Sequence, residues 1–511
     1  MNPALKSSFN CWSVHKVWIF LLLTVVIFSG CDRYSPENPP QPNIIFVLVD
    51  DLGWRDTGFM GSKLYKTPNI DRLAGEGMVF TQAYAACAVC SPTRASIMTG
   101  KYPARLGITD WIRGRASGVE VPEDRQNPSG YDTVPEFALL TPRNALWMEK
   151  EETTLAEALK SVGYTTCHVG KWHLGPDGWK PEGQGFDFNY GGTDLGQPPV
   201  YFDPYEAGGL SIENLPGQKE GQYLSEREGE EATRFIRENH QKGPFFLNLW
   251  HYAVHTPLEA PDSVVEKYRQ RQIEDKNLPD YREEDNFRHH FQTKSPLDSQ
   301  RNPIYAAMIE SVDHVMGRIF HTLDSLQIGD NTLIVFFSDN GGHIVSTSNQ
   351  PLRMGKGFPY EGGIREPMIV RWPGKIKSGS VSHTPVISND FFPTLCAAAG
   401  ASVAENDGKN LLPLLSGTAD IGRDQLFWHF PHYWWGDQVR PYSIVRSGEW
   451  KLIKWYEGPE YELYNLNQDM GEKNNLAREM PEKTEELSHL LDNWLLNIHA
   501  KLPVPAKTKT L

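Results

Sequence analysis

Basic residues are in short supply in this chain. Lys and Arg number 50 against 64 Asp and Glu, for a net charge of −14. No positive excess exists to neutralise phosphates, which excludes nucleic acid as a partner. An anionic ligand must instead be drawn by a local cationic pocket. Cysteine is scarce too, with six in 511 residues. Cys11 lies in the leader, and Cys31, Cys87, Cys90, Cys167 and Cys396 form neither a disulfide framework nor paired zinc-binding motifs. One C-x-x-C joins Cys87 to Cys90, a spacing that redox proteins also use. Long apolar runs are missing. Val17 to Phe28 is almost wholly apolar, yet falls short of the ~20 residues that a membrane-spanning helix needs. Internal repeats are absent.

That short run has a different meaning. Lys6 and Lys16 precede it, and Phe28-Ser29-Gly30-Cys31 follows it. A positive segment, an apolar core and small residues before a Cys resemble a bacterial lipoprotein signal. Residues 1–30 are therefore expected to be a leader, with Cys31 lipidated. Residues 31–42, rich in Pro, form a tether. The expected location is the bacterial cell envelope, with the membrane reached through the lipid anchor only. The alternative is ordinary cleavage, giving a soluble periplasmic or secreted protein.

From residue 43 the composition is globular. Asn43–Val49, Phe245–Trp250 and Thr332–Phe337 are nearly continuous apolar runs, and each ends in polar residues. Such runs suit strands buried on both faces of a parallel sheet. Helical patterns at Thr154–Ser161, Glu226–Glu238 and Pro303–Leu326 separate them. The prediction is an α/β fold, with a large mostly parallel or mixed sheet between helices over residues 43–423. Ligand-binding residues should then gather at the carboxyl ends of the strands. Residues 424–511 read differently: short turn-separated strands, then a helix over Glu482–His499. They predict a smaller α+β subdomain, an antiparallel sheet plus a helix. Asp262–Arg301 is charged and reads as a surface insertion.

Asp50 and Asp51 follow one strand, and Asp339 and Asn340 another. Four oxygen donors at two strand ends suit a hard cation, Ca²⁺ with flexible geometry or Mg²⁺ with a strict octahedron. Helix N-capping would use the same residue types. Cys90-Ser91-Pro92-Thr93-Arg94 places a Pro two residues and an Arg four residues beyond a thiol. Lys171 and His173 share a Gly-bounded loop, Lys356 lies in a second loop, and His255 follows a strand.

Together these segments resemble the sulfatase family, its arylsulfatase-type branch within the alkaline phosphatase superfamily. The resemblance runs from Val49-Asp50-Asp51-Leu52-Gly53 through Cys90-Ser91-Pro92-Thr93-Arg94, Gly170-Lys171-Trp172-His173 and Ser338-Asp339-Asn340-Gly341 to Glu462-Leu463-Tyr464. It implies that a maturation enzyme converts Cys90 to formylglycine (3-oxoalanine), whose hydrate is the nucleophile. It further implies Ca²⁺, with Mg²⁺ second, on Asp50, Asp51, Asp339, Asn340 and the modified Cys90. Arg94 would hold the hydrate, Lys171 and Lys356 the sulfate oxygens. His173 would handle a proton of the hydrate, and His255 would protonate the leaving oxygen. Two positions depart from the pattern: Val254 stands where many relatives carry Pro, and Thr93 where Ser or Ala is frequent.

Two regions could shape the pocket rim. One is Ser117–Glu151. The other holds His432, Trp434 and Trp435, expected to be exposed at a turn, while Trp428 and Phe430 read as strand core. Aromatic rings that stack on sugar faces would suit a sulfated oligosaccharide or polysaccharide as partner. The alternatives are a phosphodiester or phosphonate monoester hydrolase on the same scaffold, and a non-catalytic glycan-binding lipoprotein.

Overall fold

Strand β1, Asn43–Val49, shows how the sequence builds the interior. Ile45, Val47 and Val49 enter one apolar cluster, whereas Ile44, Phe46 and Leu48 enter another. Period-two alternation sends successive side chains to opposite faces, so an unbroken apolar run marks a strand covered on both sides. A computed structural model describes residues 41–133, 136–280, 296–435 and 438–506. Residues 1–30, expected to be a leader, and Cys31 lie outside the described residues.

The main elements in chain order are β1, α1 (Pro68–Glu76), β2 (Met78–Tyr84), α2 (Cys90–Thr99), α3 (Leu155–Lys160), β3 (Thr165–Gly170), β4 (Phe188–Tyr190) and α4 (Leu224–Asn239). Then come β5 (Phe245–Trp250), α5 (Asp262–Glu274), α6 (Pro303–Leu326), β6 (Thr332–Ser338), β7 (Arg365–Arg371), β8 (Ser380–Ser382) and α7 (Phe391–Ala399). The nine-stranded sheet runs β8-β2-β7-β6-β1-β5-β3-β4, and Val386–Ile387 adds a short strand beside β2. β6, β1, β5, β3 and β4 are parallel neighbours. β7 is antiparallel to β6 and to β2, so the sheet is mixed. α1, α4, α5 and α6 contribute to the cluster on one face, α2, α3 and α7 to that on the other.

The segment expected to be a surface insertion is partly core. α5 buries Val265 and Tyr268 against the α6 side of the molecule. A three-to-four residue apolar spacing is enough to dock a helix whose other faces are charged. Residues 281–295 lie outside the described residues.

The last segment forms a four-stranded antiparallel meander, Gln425–Phe430, Tyr442–Ser447, Trp450–Trp455 and Tyr461–Asn465, followed by the helix Pro481–Asn497. Leu487, Leu491 and Leu495 of that helix join Trp428, Ile444 and Leu452 in a third cluster. The same cluster includes Tyr84, Val89 and Phe358 from the central part of the chain. Trp428 Nε1 donates to the Ala85 carbonyl at 2.7 Å. The meander thereby braces the two segments that lead to Cys90 and Lys356.

Candidate active site

The carboxyl ends of β6, β1, β5 and β3 lie along one edge, because these strands are parallel. Each delivers polar residues there: Asp339 and Asn340, Asp50 and Asp51, His251, and Lys171. At the end of β3, Gly170 has φ +94°, and a Cβ there would collide with the Trp250 carbonyl. That close approach lets Lys171 N donate to Trp250 O at 2.7 Å, which fixes where the lysine leaves the sheet. Asp51 (φ 61°) and His173 (φ 57°) hold left-handed backbone conformations, a strain that gathers at functional sites.

Cys90 begins α2, with Pro92 in its first turn, where its missing N–H costs nothing. The thiol is 3.6 Å from Asp50 Oδ1. Ligand atoms of Asp50, Asp51, Cys90 and His255 lie within 4.8 Å of one another. Burial pushes the Cys90 thiol up to about 12, against Lys171 and Lys356, which lower it. The unmodified thiol is thus a poor nucleophile at neutral pH.

Arg94 is fully buried. Its Nε and Nη2 donate to Asp339 Oδ2 at 2.9 and 2.7 Å, and Nη1 donates to the Lys171 carbonyl at 2.8 Å. These bonds position Asp339 and the Lys171 loop. Lys171 Nζ lies 2.5 Å from Asp50 Oδ2, and Lys356 Nζ 2.7 Å from Asp51 Oδ1. Burial alone would lower Lys356, but Asp51 raises it, so it stays charged.

Both histidines are oriented through a backbone carbonyl. His173 Nε2 is 2.8 Å from Ile112 O and donates there, which leaves Nδ1 as the acceptor, buried without a partner. His255 Nδ1 is 2.8 Å from Thr256 O, which turns Nε2 toward Asp51 Oδ2 at 3.6 Å. Burial lowers both rings well below the ordinary histidine range, with Lys171 adding to the effect at His173 and Lys356 at His255. Both are therefore neutral until an anion arrives to favour the imidazolium.

The oxygen donors fit a hard cation. Asp50 and Asp339 follow strands and cap no helix in the described chain. Burial, with Asp339 next, pushes the Asp50 carboxyl up to about 8 even with Lys171 beside it. The side-chain cations therefore do not offset burial and crowding at Asp50, whereas at Asp51, against burial, Lys356 holds the carboxyl below its ordinary range. Asn340 Nδ2 donates to Asp51 Oδ1 at 2.8 Å, while Asn340 Oδ1 is buried with no hydrogen-bond partner. An unpaired buried amide oxygen among crowded carboxylates is a donor set for Ca²⁺ or Mg²⁺.

A cavity of about 680 Å³ opens above this floor. Asp51, Cys90, His173, His255 and Lys356 line its base. Trp434 and Trp435 line its rim, joined by Trp111, Arg113, Gln197 and His343. Those last four escaped the sequence reading. His343 carried a signal, since it follows Asp339-Asn340-Gly341-Gly342 past the end of β6. Trp111 and Arg113 stand just before the Ser117–Glu151 stretch, whose Ser117 also lines the cavity.

His432 corrects an expectation. It is buried, 6% exposed, and its Nε2 meets Thr109 Oγ1 at 2.8 Å. It is absent from the cavity lining because the turn after Phe430 folds onto the 109–110 segment. Burial drops its ring to about 3. Trp428 and Phe430 are buried strand core, as expected.

This geometry coincides with a family. The sulfatase family model matches residues 42–401, and the model for the C-terminal part of N-sulphoglucosamine sulphohydrolase matches residues 353–501. The chain belongs to the sulfatase family. As such it is an enzyme that hydrolyses sulfate esters. A sulfatase of Formosa agariphila is 30% identical over 96% of this chain and 95% of its own length. The N-acetylgalactosamine-6-sulfatase of Canis lupus familiaris is 29% identical over 94% of this chain and 82% of its own. Among solved structures, Ps i-CgsB in complex with k-i-k-neocarrahexaose superposes with a TM-score of 0.70 at 28% identity, covering 89% of this chain and 92% of that one.

Proposed function

We propose that this sulfatase removes sulfate from a sulfated carbohydrate, using formylglycine made from Cys90 and a Ca²⁺ ion. One observation carries the reading. The Cys90 thiol, two aspartates and His255 converge within 4.8 Å at the floor of a cavity with an aromatic rim. Relatives support the substrate class: one is named for N-acetylgalactosamine 6-sulfate chemistry, and one solved structure holds a neocarrahexaose. Trp434 and Trp435 offer rings on which a sugar can stack.

The residues divide the work. Lys171 and Lys356 attract the sulfuryl oxygens and spread their charge. His173 Nδ1 accepts a proton beside Cys90. His255 Nε2 returns one to the departing alcohol oxygen, since the sulfate's own charge favours the imidazolium that burial opposes. Arg94 keeps Asp339 and the Lys171 carbonyl in register. Formylglycine at position 90 would supply the hydroxyl nucleophile for the sulfuryl group. Asp50, Asp51, Asp339 and Asn340, together with residue 90, would hold the cation, which supplies positive charge against the incoming anion. A maturation enzyme is the further partner this requires. Lipidation at Cys31 would tether the enzyme to the bacterial cell envelope.

Turnover of an aryl sulfate beside an aryl phosphodiester tests the reading. The sulfate is expected to be the better substrate by kcat/KM. Preference for the diester would reassign the enzyme to phosphodiester hydrolysis. Neither turned over, Cys90 left unconverted in a host that carries the maturation enzyme, and glycan bound would make it a binding lipoprotein.

Metal removal gives a second expectation. Chelation and dialysis, with metal content measured alongside, should abolish turnover. Ca²⁺ should restore it more fully than Mg²⁺, because these donors sit on separate loops and suit a flexible shell. Full activity in a sample verified to be metal-free would reject the cation.

A further inference from the structure

We propose that Arg113 binds a second anionic group, carried by the sugar next to the one that loses sulfate. The preferred substrate would then be a sulfated oligosaccharide with charge on adjacent residues. This role presupposes the sulfatase chemistry proposed above and narrows its substrate.

Two cavities meet at Arg113. One is the cavity of about 680 Å³ above Cys90. The other, of about 260 Å³, is lined by Ile112, Arg113, Gly114, Val121, Leu146 and Pro176 among others. The larger space is of the size that encloses more than one small ring system. Among the described residues lining it, Asp51 and Lys356 carry formal charge at the floor, and Arg113 alone carries charge at the rim. The Arg113 side chain is 53% exposed, and its guanidinium is ion-paired with Asp110, 3.7 Å from Oδ2, a contact longer than a hydrogen bond. It stacks over the Trp111 ring at 5.3 Å. Its planar fork therefore faces the cavities, with donors available to pair with a carboxylate or sulfate.

The arm beneath it is rigid. Asn144 Oδ1 accepts from Thr109 N and Asp110 N at 2.8 and 3.0 Å, and Asn144 Nδ2 donates to Asp110 O at 3.0 Å. Ile112 N donates to Ser91 Oγ at 3.0 Å, and Ser91 Oγ donates to His173 O at 3.0 Å. Ser91 adjoins Cys90. Arg113 is thereby tied to the nucleophile helix and to His173, and a rigid mount reads the spacing between two anions at low entropic cost. Glu120, Asp177 and Asp194 line the smaller cavity; Asp177 pairs with Lys180, yet three carboxylates against one guanidinium disfavour an anion carried farther in. They confine the second charge to the junction, where Arg113 stands.

The test compares wild type with Arg113→Met, whose stem can still cover Trp111, and with Arg113→Lys. Arg113→Gln stands in if the methionine variant does not fold by thermal melt. Four substrates are used: 4-nitrophenyl sulfate, and three sulfated disaccharides whose neighbouring sugar is neutral, sulfated or carboxylated. Wild type is expected to favour at least one charged neighbour over the neutral one. Arg113→Met should cut that kcat/KM ratio by about 10-fold or more, mainly through KM, as loss of a charge-assisted pair predicts. Arg113→Lys should keep part of it. Whether the sulfated or the carboxylated neighbour shows the larger loss identifies the anion. A ratio unchanged by Arg113→Met, or a wild-type preference for the neutral neighbour, overturns the proposal. No turnover of any sulfate by wild type whose residue-90 peptide is shown by mass to be converted overturns the sulfatase reading itself.

Discussion

Cys90→Ala is expected to lower sulfate-ester turnover by about 10⁴-fold or more, the scale of loss when a covalent nucleophile is removed. Stability should barely change. The substitution deletes one buried sulfur, which among the described residues donates to Asp50 at 3.6 Å, and such a change costs about 1 kcal/mol. A thermal melt close to wild type, beside absent turnover, is the expected pair of results. The thiol itself cannot be the working group, because burial holds it near 12. Active protein should therefore show the peptide containing residue 90 lighter by about 18 Da, the exchange of SH and H for oxygen. Active protein with only free Cys90 would reject formylglycine.

His255→Ala is expected to discriminate between leaving groups. A sugar alcohol leaves poorly without a proton, whereas nitrophenolate leaves unaided. General acid catalysis contributes ~10²–10⁴-fold, so the loss on a sugar sulfate should exceed that on nitrophenyl sulfate by about tenfold or more. The geometry supports a proton carrier here. The Thr256 carbonyl holds Nδ1 at 2.8 Å, so Nε2 is the atom that faces the floor of the cavity. Lys171→Ala should harm both substrates alike, because both present the same sulfuryl charge to its ammonium. Equal losses for His255→Ala would mean that His255 only positions sulfate. Lys356, 2.7 Å from Asp51, would then be the first candidate for the acid.

The floor of the site was legible because it hangs on strands. Asp50 and Asp339 each follow an apolar run, Lys171 follows the more polar strand Thr165–Gly170, and parallel pairing brings such ends to one edge. The direction of β7 was not legible. Arg365–Arg371 is buried throughout, and a buried run reads the same whether parallel or antiparallel. The rim was legible only in part. Trp434 and Trp435 were found from aromatic clustering at a turn. The same logic failed for His432, because Thr109 lies 323 residues away in sequence and nothing local announces their bond. Trp111 and Arg113 depend similarly on Asn144, more than 30 residues downstream, whose amide shapes an otherwise patternless loop.

The burial of α2 bears on the order of events in the protein's making. Cys90 through Thr99 are buried without exception, with Arg94 at 0% and Cys90 at 3% exposure. A cavity that admits a sugar ring gives no room for another protein to grip Pro92 and Arg94 around the thiol. On the formylglycine chemistry proposed above, conversion of Cys90 would have to be finished while this stretch is still an open chain. Folding would close that window, and a molecule that folded first would keep its thiol and stay inert. The specific activity of a preparation then records a race between two processes in the producing cell. It can fall with faster folding or scarcer maturation enzyme while the fold itself remains sound.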